Sequence, residues 1–189
     1  MIRDALPPGP AWLRELIGSD YLARVVTVFL YTNVEDLTLL ASLHDLRVLT
    51  LRGGEVTDLS PLARLTNLEE LELGDIRVAD LSSLANLTRL ESLTVNNSQQ
   101  VADISPLANL ANLKHLDLHG TPVSDVSPLA NLTKLQSLDV LVLEGTDLSP
   151  LILLPNLESL VLMGDAVDEE AEQLQQMLPN CRVYGYNKC

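Results

Sequence analysis

Leucines recur along the chain in a fixed pattern, LxxLxL, which is clearest in segments 46–51, 68–73, 90–95 and 113–118. The second half of each segment alternates apolar and polar residues, as a half-buried β-strand does. A second phrase alternates with these segments and begins with an aspartate, at Asp36, Asp58, Asp80, Asp103, Asp125 and Asp147. These aspartates stand 22, 22, 23, 22 and 22 residues apart. A fixed period of this length predicts a solenoid of stacked structural repeats.

The repeat unit from 113 to 134 shows what each position is predicted to do. Its strand leucines, which should point into a core, are Leu113, Leu116 and Leu118. Since side chains alternate along a strand, the residues between and after them point to the opposite side: His115, Asp117 and His119. In the following phrase, Asp125 and Ser127 are typical helix-capping residues, and Pro128 suits a first helical position. Each unit therefore predicts a strand, a turn and a short returning helix.

Strands from successive units form one parallel sheet, because a single unit cannot bury its own leucines without stacking on its neighbours. The predicted fold class is α/β: a right-handed solenoid with a curved parallel sheet on the concave face and short 3-10 or α-helices on the convex face. Apolar residues at helical spacing predict an N-terminal helical cap at 1–24, followed by repeats at 25–167. A longer helix and an edge strand predict a C-terminal cap at 168–189, and all parts form one structural domain.

One repeat allows two registers. The segment 135–140 keeps the 22-residue spacing to Asp147, but it places Gly145 where other repeats have a core valine. The segment 138–143 matches LxxLxL better, but it shortens the following turn by three residues. We favour the first register and expect a local irregularity in this repeat.

Composition and charge narrow the range of partners. Hydrophobic residues make up 47% of the 189 residues and aromatic residues only 3%, which indicates an aliphatic core. The net charge of −14 repels phosphate backbones and anionic lipid headgroups, so neither nucleic acid nor a membrane is expected as a partner. The charge favours a protein partner, and in particular a basic one.

The N-terminal sequence and the cysteines bear on location. Segment 1–16 carries charges and prolines where a signal peptide has an apolar run, so we expect a cytoplasmic protein unless a non-Sec route exports it. Cys181 stands where the repeats have leucine, which favours a buried apolar role. A disulfide between Cys181 and Cys189 would need an oxidising compartment, and the sequence leaves this pairing open. We expect no cofactor, because no zinc-type spacing or phosphate-binding glycine loop is present in the sequence.

The outward positions of the predicted strands form a candidate binding surface. Its middle is acidic and polar, whereas its two ends are apolar. Apolar anchors around a charged centre suit a surface that binds another protein, although terminal caps that fold over the ends are a competing interpretation. The predicted partner-binding residues are Phe29, Tyr31, Arg52, Glu70, Glu72, Asn96, His115, Asp117, His119, Asp139, Leu141 and Met163.

A different hypothesis starts from His115, Asp117 and His119. Such side chains on one strand face, with serines on the neighbouring strands, could form a metal site or a Ser–His–Asp relay. Catalysis needs a water-excluding pocket, which an open face lacks, and alternate strand residues stand about 7 Å apart. We therefore predict no catalytic and no metal-binding residues, and a metal-binding or hydrolytic protein is kept as an alternative.

Residues 25–186 resemble the leucine-rich repeat family, and in particular its 22-residue bacterial class of internalin-like and SDS22-like proteins. The resemblance rests on LxxLxL and on the phrase Asp-(Leu/Ile/Val)-Ser-Pro-Leu at 58–62, 103–107, 125–129 and 147–151. The family usually has asparagine at the ninth position of each repeat, and only Asn33 fits fully here. This departure predicts a less regular loop side.

The resemblance implies a non-catalytic interaction domain that binds a protein or peptide on the concave strand face. A regulatory subunit, a sensor domain and an exported effector all fit this description, and the sequence does not separate them. We expect a monomer. A structural solenoid that self-associates through its apolar C-terminal edge is the remaining alternative.

Overall fold

The computed structural model of the chain describes residues 25–31, 34–165 and 167–187. Its strands form one parallel eight-stranded sheet in the order of the sequence. They are β1 (Thr27–Leu30), β2 (Val48–Arg52), β3 (Glu70–Gly74), β4 (Ser92–Asn96), β5 (His115–Val123), β6 (Ser137–Val142), β7 (Ser159–Gly164) and β8 (Arg182–Asn187). This arrangement confirms the predicted sheet of stacked repeats. The predicted cap at 1–24 lies outside the described residues.

The helices that return the chain between strands are short 3-10 helices. They span Thr38–Ser42, Ser60–Arg64, Ser82–Leu84, Ser105–Asn109, Ser127–Asn131 and Ser149–Leu153. One α-helix, α1 (Asp168–Met177), precedes β8, so both elements of the predicted C-terminal cap are present. Three acidic residues in the first turn of α1 suit the positive end of its dipole.

The core is a set of leucine columns that run from repeat to repeat. The parallel register pairs Leu49 with Leu71 and Leu71 with Leu93, so equivalent leucines stack directly on each other. All three are at most 2% exposed. Burial of each such side chain contributes about 1.5–3 kcal/mol, and this gain depends on the neighbouring repeats.

The repeating aspartates close the turn before each 3-10 helix. In every repeat the Oδ1 atom accepts a hydrogen bond from the backbone N–H two residues later, at 2.7–2.9 Å. The hydrogen bond from the Ser105 N–H lowers the pKa of Asp103, and the one from the Ser149 N–H lowers the pKa of Asp147. Because the folded state favours the carboxylate, this stabilisation is present above the ordinary carboxyl pKa and is lost as the pH falls through the lowered value.

A left-handed residue stands at a fixed position of the repeat, after the paired leucines of the strand. In four successive repeats this position is held by Gly53, Asp75, Asn97 and Gly120, with φ of 72°, 55°, 55° and 68°. Glycine adopts this conformation without strain, and asparagine and aspartate tolerate it better than other residues do. The next residue in this column is Val142, which instead continues strand β6.

The repeat containing β6 keeps the register that we favoured. Leu138 pairs with Leu160 and Val140 with Leu162, which places the strand at 135–140 in line with its neighbours. Val142, 5% exposed, is the residue that fills the core, and the left-handed turn comes three residues later at Gly145, with φ of 79°. The expected irregularity is also present: the pairing of β5 with β6 shifts register between Leu118 and Pro122.

The loop side departs from an asparagine ladder, as expected. Thr121 occupies the ninth position and is fully buried. Its Oγ1 donates to the carbonyl of Val95 at 2.8 Å and accepts from the N–H of Ser98 at 3.3 Å. The Thr121 hydroxyl thus forms hydrogen bonds with two backbone groups, one as donor and one as acceptor. The asparagine at position 33 lies outside the described residues.

A second side-chain ladder joins neighbouring repeats ahead of the strands. The Nδ2 atoms of Asn67, Asn112 and Asn156 donate to carbonyls of the preceding repeat at 2.7–2.8 Å. Arg89 and Lys134 stand in the repeats between them and donate to the Oδ1 atoms of Asn67 and Asn112 at 2.7 Å. Asparagine therefore alternates with a cationic residue from repeat to repeat. The side-chain amides of Asn67 and Asn112 each donate a hydrogen bond to the preceding repeat and accept one from the following repeat. This ladder was not predicted from the sequence.

Candidate functional site

The strand face is the side of the sheet formed by the alternate, outward residues of β1–β8 and the residue after β1. The register aligns two rows of these residues across the whole sheet, and it pairs a third row from Arg52 to Asn96 and from Leu141 to Tyr186. Between these two parts the third row is interrupted at β5, where Leu141 pairs with Pro122. His115 and His119 are exposed and Asp117 is half-buried, which confirms the predicted alternation. The neighbouring leucines are buried on the other side.

The N-terminal end of the strand face carries two exposed aromatic side chains. Phe29 is 53% exposed and Tyr31 is 63% exposed. Their ring centroids lie 6.4 Å apart and the ring planes are 5° from parallel, so each ring supports the other. The described residues therefore leave both predicted anchors accessible.

The C-terminal end carries a second aromatic pair, which was not among the predicted partner-binding residues. The register places Tyr184 beside Val161 and Tyr186 beside Met163, so both tyrosines extend the strand face by one strand. They are 44% and 57% exposed. Alternation in the segment 181–186 was the signal that could have found them, because it already predicted an edge strand.

The two aromatic pairs occupy the same rows at opposite ends of the sheet. Phe29 and Tyr184 stand in the middle row, whereas Tyr31 and Tyr186 stand in the row after it. Seven strand spacings separate the ends, which corresponds to about 34 Å along the sheet. A ligand that contacts both ends must therefore be about as large as a small folded protein or a long peptide.

The centre of the strand face is acidic, but its carboxylates differ in their surroundings. Glu72 forms an ion pair with Arg52 and accepts a hydrogen bond from Thr50. Glu70 is exposed in the neighbouring row. Thus Glu70 is the more accessible of the two carboxylates for a basic partner.

Asp139 and Asp117 stand side by side on β6 and β5. Burial raises the pKa of Asp139, the negative charge of Asp117 raises it further, and His119 opposes the change. The charged form of Asp139 is therefore disfavoured here, and a cation placed over this pair would stabilise it.

The structure separates the parts of the metal and hydrolase hypotheses. His115 Nδ1 lies 2.9 Å from the Oγ of Ser137, but the Asp117 carboxylate accepts from the backbone N–H of His119 at 2.8 Å. Within residues 25–31, 34–165 and 167–187, no group of three or more His, Cys, Asp or Glu side chains could hold a metal ion. The hollow on this face between β2 and β4 measures about 100 Å³, well below the usual size of a small-molecule pocket.

Leu141 is the one predicted partner-binding residue whose expected exposure is wrong. It is only 8% exposed, although its row points outward. The reason is that His119 and Met163, one strand away on either side, meet above it through Nδ1 and Sδ. Met163, which was also predicted for this end of the face, is half-buried at the surface.

Asn96 remains on the strand face and is half-buried. Its carboxamide lies over Gly74, where an added Cβ would stand 2.7 Å from the Oδ1 atom. Gly74 therefore leaves the space that this side chain occupies.

Two further observations concern the whole described chain. Among the described residues, no helix has the length and apolar character needed to cross a membrane. Cys181 is 3% exposed, and burial raises the pKa of its thiol to about 11, which fits the apolar role predicted for it. Cys189 lies outside the described residues, so the pairing of the two cysteines stays open.

Comparison with known proteins places this architecture. The sequence pattern of the family described as "Leucine Rich repeats (2 copies)" matches residues 66–109 and 111–153. No curated protein sequence matches the chain. An internalin (inlF) of Listeria monocytogenes superposes with a TM-score of 0.78 at 29% identity, covering 93% of this chain and 55% of the internalin.

Internalin C2 (inlC2) of Listeria monocytogenes superposes with a TM-score of 0.76 at 31% identity, covering 90% of this chain and 74% of that protein. A leucine-rich repeat protein of Leptospira interrogans (LIC12759) shares the fold, with a TM-score of 0.61 at 21% identity, over 96% of this chain and 40% of its own. The chain is thus a leucine-rich repeat solenoid. It belongs to the internalin-like leucine-rich repeat family. Proteins of this kind are typically non-catalytic interaction modules.

Proposed function

We propose that the chain is a non-catalytic domain that binds a protein partner on its strand face. The observation that carries the proposal is the pair of exposed aromatic groups, Phe29 with Tyr31 and Tyr184 with Tyr186, in the same rows at the two ends of a polar face. Tyrosine and phenylalanine bury a large apolar area with little loss of conformational entropy, and they are enriched where proteins bind each other.

The charges of the face support a partner with positive charge at its centre. Glu70 is exposed, and Asp139 stands beside Asp117, where burial and the neighbouring negative charge raise the pKa of Asp139, so a nearby cation would stabilise its carboxylate. Arg52 is already paired with Glu72. A partner with basic residues between two apolar contacts would thus match the face, and the net charge of −14 would speed their encounter.

The test is affinity capture from lysate of the source cells with matched variants of the whole chain. Tyr31→Ser with Tyr186→Ser removes one aromatic ring from each end of the face, and Glu70→Lys reverses charge at the centre. With either variant, the amount of the partner protein captured should fall at least tenfold relative to the wild type. Glu144→Lys, in the exposed turn after β6, changes the charge equally away from the strand face and should leave capture unchanged.

The result that would overturn the proposal is recovery of the same proteins by the strand-face variants and by the wild type. Circular dichroism of each variant confirms that a loss of capture is not a loss of folding. The monomeric state, the cytoplasmic location and the alternatives among regulatory subunit, sensor domain and effector stay predictions.

A further inference from the structure

The last 3-10 helix departs from the pattern of the five before it. Four of those five helices end in alanine followed by a polar residue, as in Ala130-Asn131. In the fifth, Ser82–Leu84, the same kind of pair directly follows the helix. In the last helix the two residues at these positions are Ile152 and Leu153. Leu153 is 66% exposed, whereas Ile152 is half-buried against the core. Two branched apolar side chains thus replace a small and a polar one at the surface.

Ile152 stands between two hollows on the helix side of the solenoid. One, of about 270 Å³, is lined by Leu148, Leu174 and Met177 towards α1. The other, of about 540 Å³, is lined by Ala130, Pro150 and Leu153 towards the preceding 3-10 helix. Ser149 and Ile152 line both hollows. We call the two together the helix-side groove.

The groove is apolar on its floor and acidic at its rim. Met177 is 58% exposed, so α1 adds a second accessible apolar side chain beside Leu153. Asp147 and Glu170 line the hollow next to α1, and neither hollow has a lysine or arginine among its lining residues. The helix α1 itself has four acidic residues and no basic one: Asp168, Glu169, Glu170 and Glu172. The hydrogen bond from the Ser149 N–H keeps the pKa of Asp147 low, so its carboxylate is charged.

From this pattern we infer that the helix-side groove is a second docking surface, and that it binds a basic amphipathic helix of another protein. Apolar residues on one side of such a helix would cover Ile152, Leu153 and Met177, and its lysines or arginines would face the acidic rim. Helices commonly bind in grooves in this way. A second copy of this chain fits the rim less well, because it would bring two chains of net charge −14 together.

The chain supplies its own control for the test. Ile152→Ala with Leu153→Asn converts the helix sequence SPLIL to SPLAN, which already stands at 105–109 and 127–131 in the same setting. The variant has the same charge as the wild type, so a difference in binding reports the apolar groove and not the general attraction of a basic peptide. Leu153→Asn alone is the second variant, because Leu153 is mostly exposed and its replacement leaves the core intact.

The probe is a fluorescein-labelled amphipathic peptide of about 15 residues with leucines on one face and lysines on the other. Fluorescence anisotropy should show binding to the wild type at least tenfold tighter than to either variant. A peptide with the same residues in scrambled order should bind all three proteins equally weakly, and a peptide with glutamate in place of lysine should not bind. Tyr31→Ser with Tyr186→Ser should bind the probe as the wild type does, which separates this inference from the strand-face proposal.

Equal affinity of wild type and variants for the amphipathic peptide would overturn the inference, as would equal binding of the scrambled peptide to the wild type. Sedimentation velocity tests whether the groove instead binds a second copy of the chain. Self-association of the wild type that disappears in both variants would assign the groove to a second copy of the chain and would also overturn the inference.

Discussion

The repeats of β2 to β5 and the repeat of β6 share one core but close their turns differently. In the first group a left-handed residue turns the chain at one fixed position: Gly53, Asp75 and Asn97 directly follow their strands, whereas Gly120 lies within β5, which pairs with β6 again from Pro122. In the β6 repeat the equivalent position is Val142, which is extended and buried, and the left-handed turn comes three residues later at Gly145. A β-branched residue cannot adopt positive φ without strain, so the strand runs on. The difference shows that the spacing of leucines sets the strand register, whereas the residue at this one position sets where the chain makes its left-handed turn.

The largest expected effect tests whether the two regions have equally tight cores. Leu116→Ala in β5 and Leu138→Ala in β6 should each lower the free energy of unfolding by about 2–5 kcal/mol, because each removes a buried side chain and leaves a cavity. Both leucines are at most 2% exposed. Urea denaturation measures the two values. A much smaller loss at Leu138 would show that the late turn loosens the core beneath it.

The next largest effect on stability is expected in the turns, where glycine is replaced by alanine at each of two positions. Gly145→Ala should cost about 1–2 kcal/mol, since alanine is strained at positive φ and no atom lies within 4 Å of the added Cβ. Gly120→Ala should cost more, because its Cβ would stand 2.5 Å from Oδ1 of Asn97. Thermal unfolding of both variants gives the comparison. Equal losses would mean that Asn97 moves aside freely and that crowding adds nothing.

The smallest effect on stability would accompany the largest change of structure. Val142→Gly with Gly145→Val exchanges the two residues and gives the β6 repeat the pattern of its neighbours. The left-handed turn should then move to residue 142, with positive φ there and a buried valine at 145, and the free energy of unfolding should change by no more than about 1 kcal/mol. A crystal structure or backbone chemical shifts report the turn. A negative φ at residue 142, with the left-handed turn still at 145, would contradict the role assigned to the turn residue.

Most of the fold could be predicted from the sequence because each repeat has the same pattern of leucines and aspartates. The strands, the 3-10 helices and the register of 135–140 all follow from leucines and aspartates at fixed spacing. The amide ladder of Asn67 and Asn112 was missed, because its members are polar surface residues whose partners become visible only when neighbouring repeats are placed side by side. The late turn at Gly145 was foreseen only as an irregularity, since two registers fitted the sequence.

The candidate site was predictable in outline. Alternation alone placed His115, Asp117 and His119 on the outer face. It could not predict that His119 and Met163 would meet over Leu141, because this contact joins residues 44 positions apart across an intervening strand. Tyr184 and Tyr186 were overlooked for a simpler reason: their strand was treated as a cap, and the register that brings them level with Val161 and Met163 comes from pairing with β7.

The amide ladder has a consequence for how such a chain could grow or shrink. Each asparagine donates to the repeat before it, and each cation donates to the asparagine of the repeat before it. A duplication that inserted two whole repeats would add one asparagine and one cation in the correct order and would leave every existing contact in place. Insertion of a single repeat would set two residues of the same kind next to each other. This solenoid is therefore built to change length most easily in steps of two.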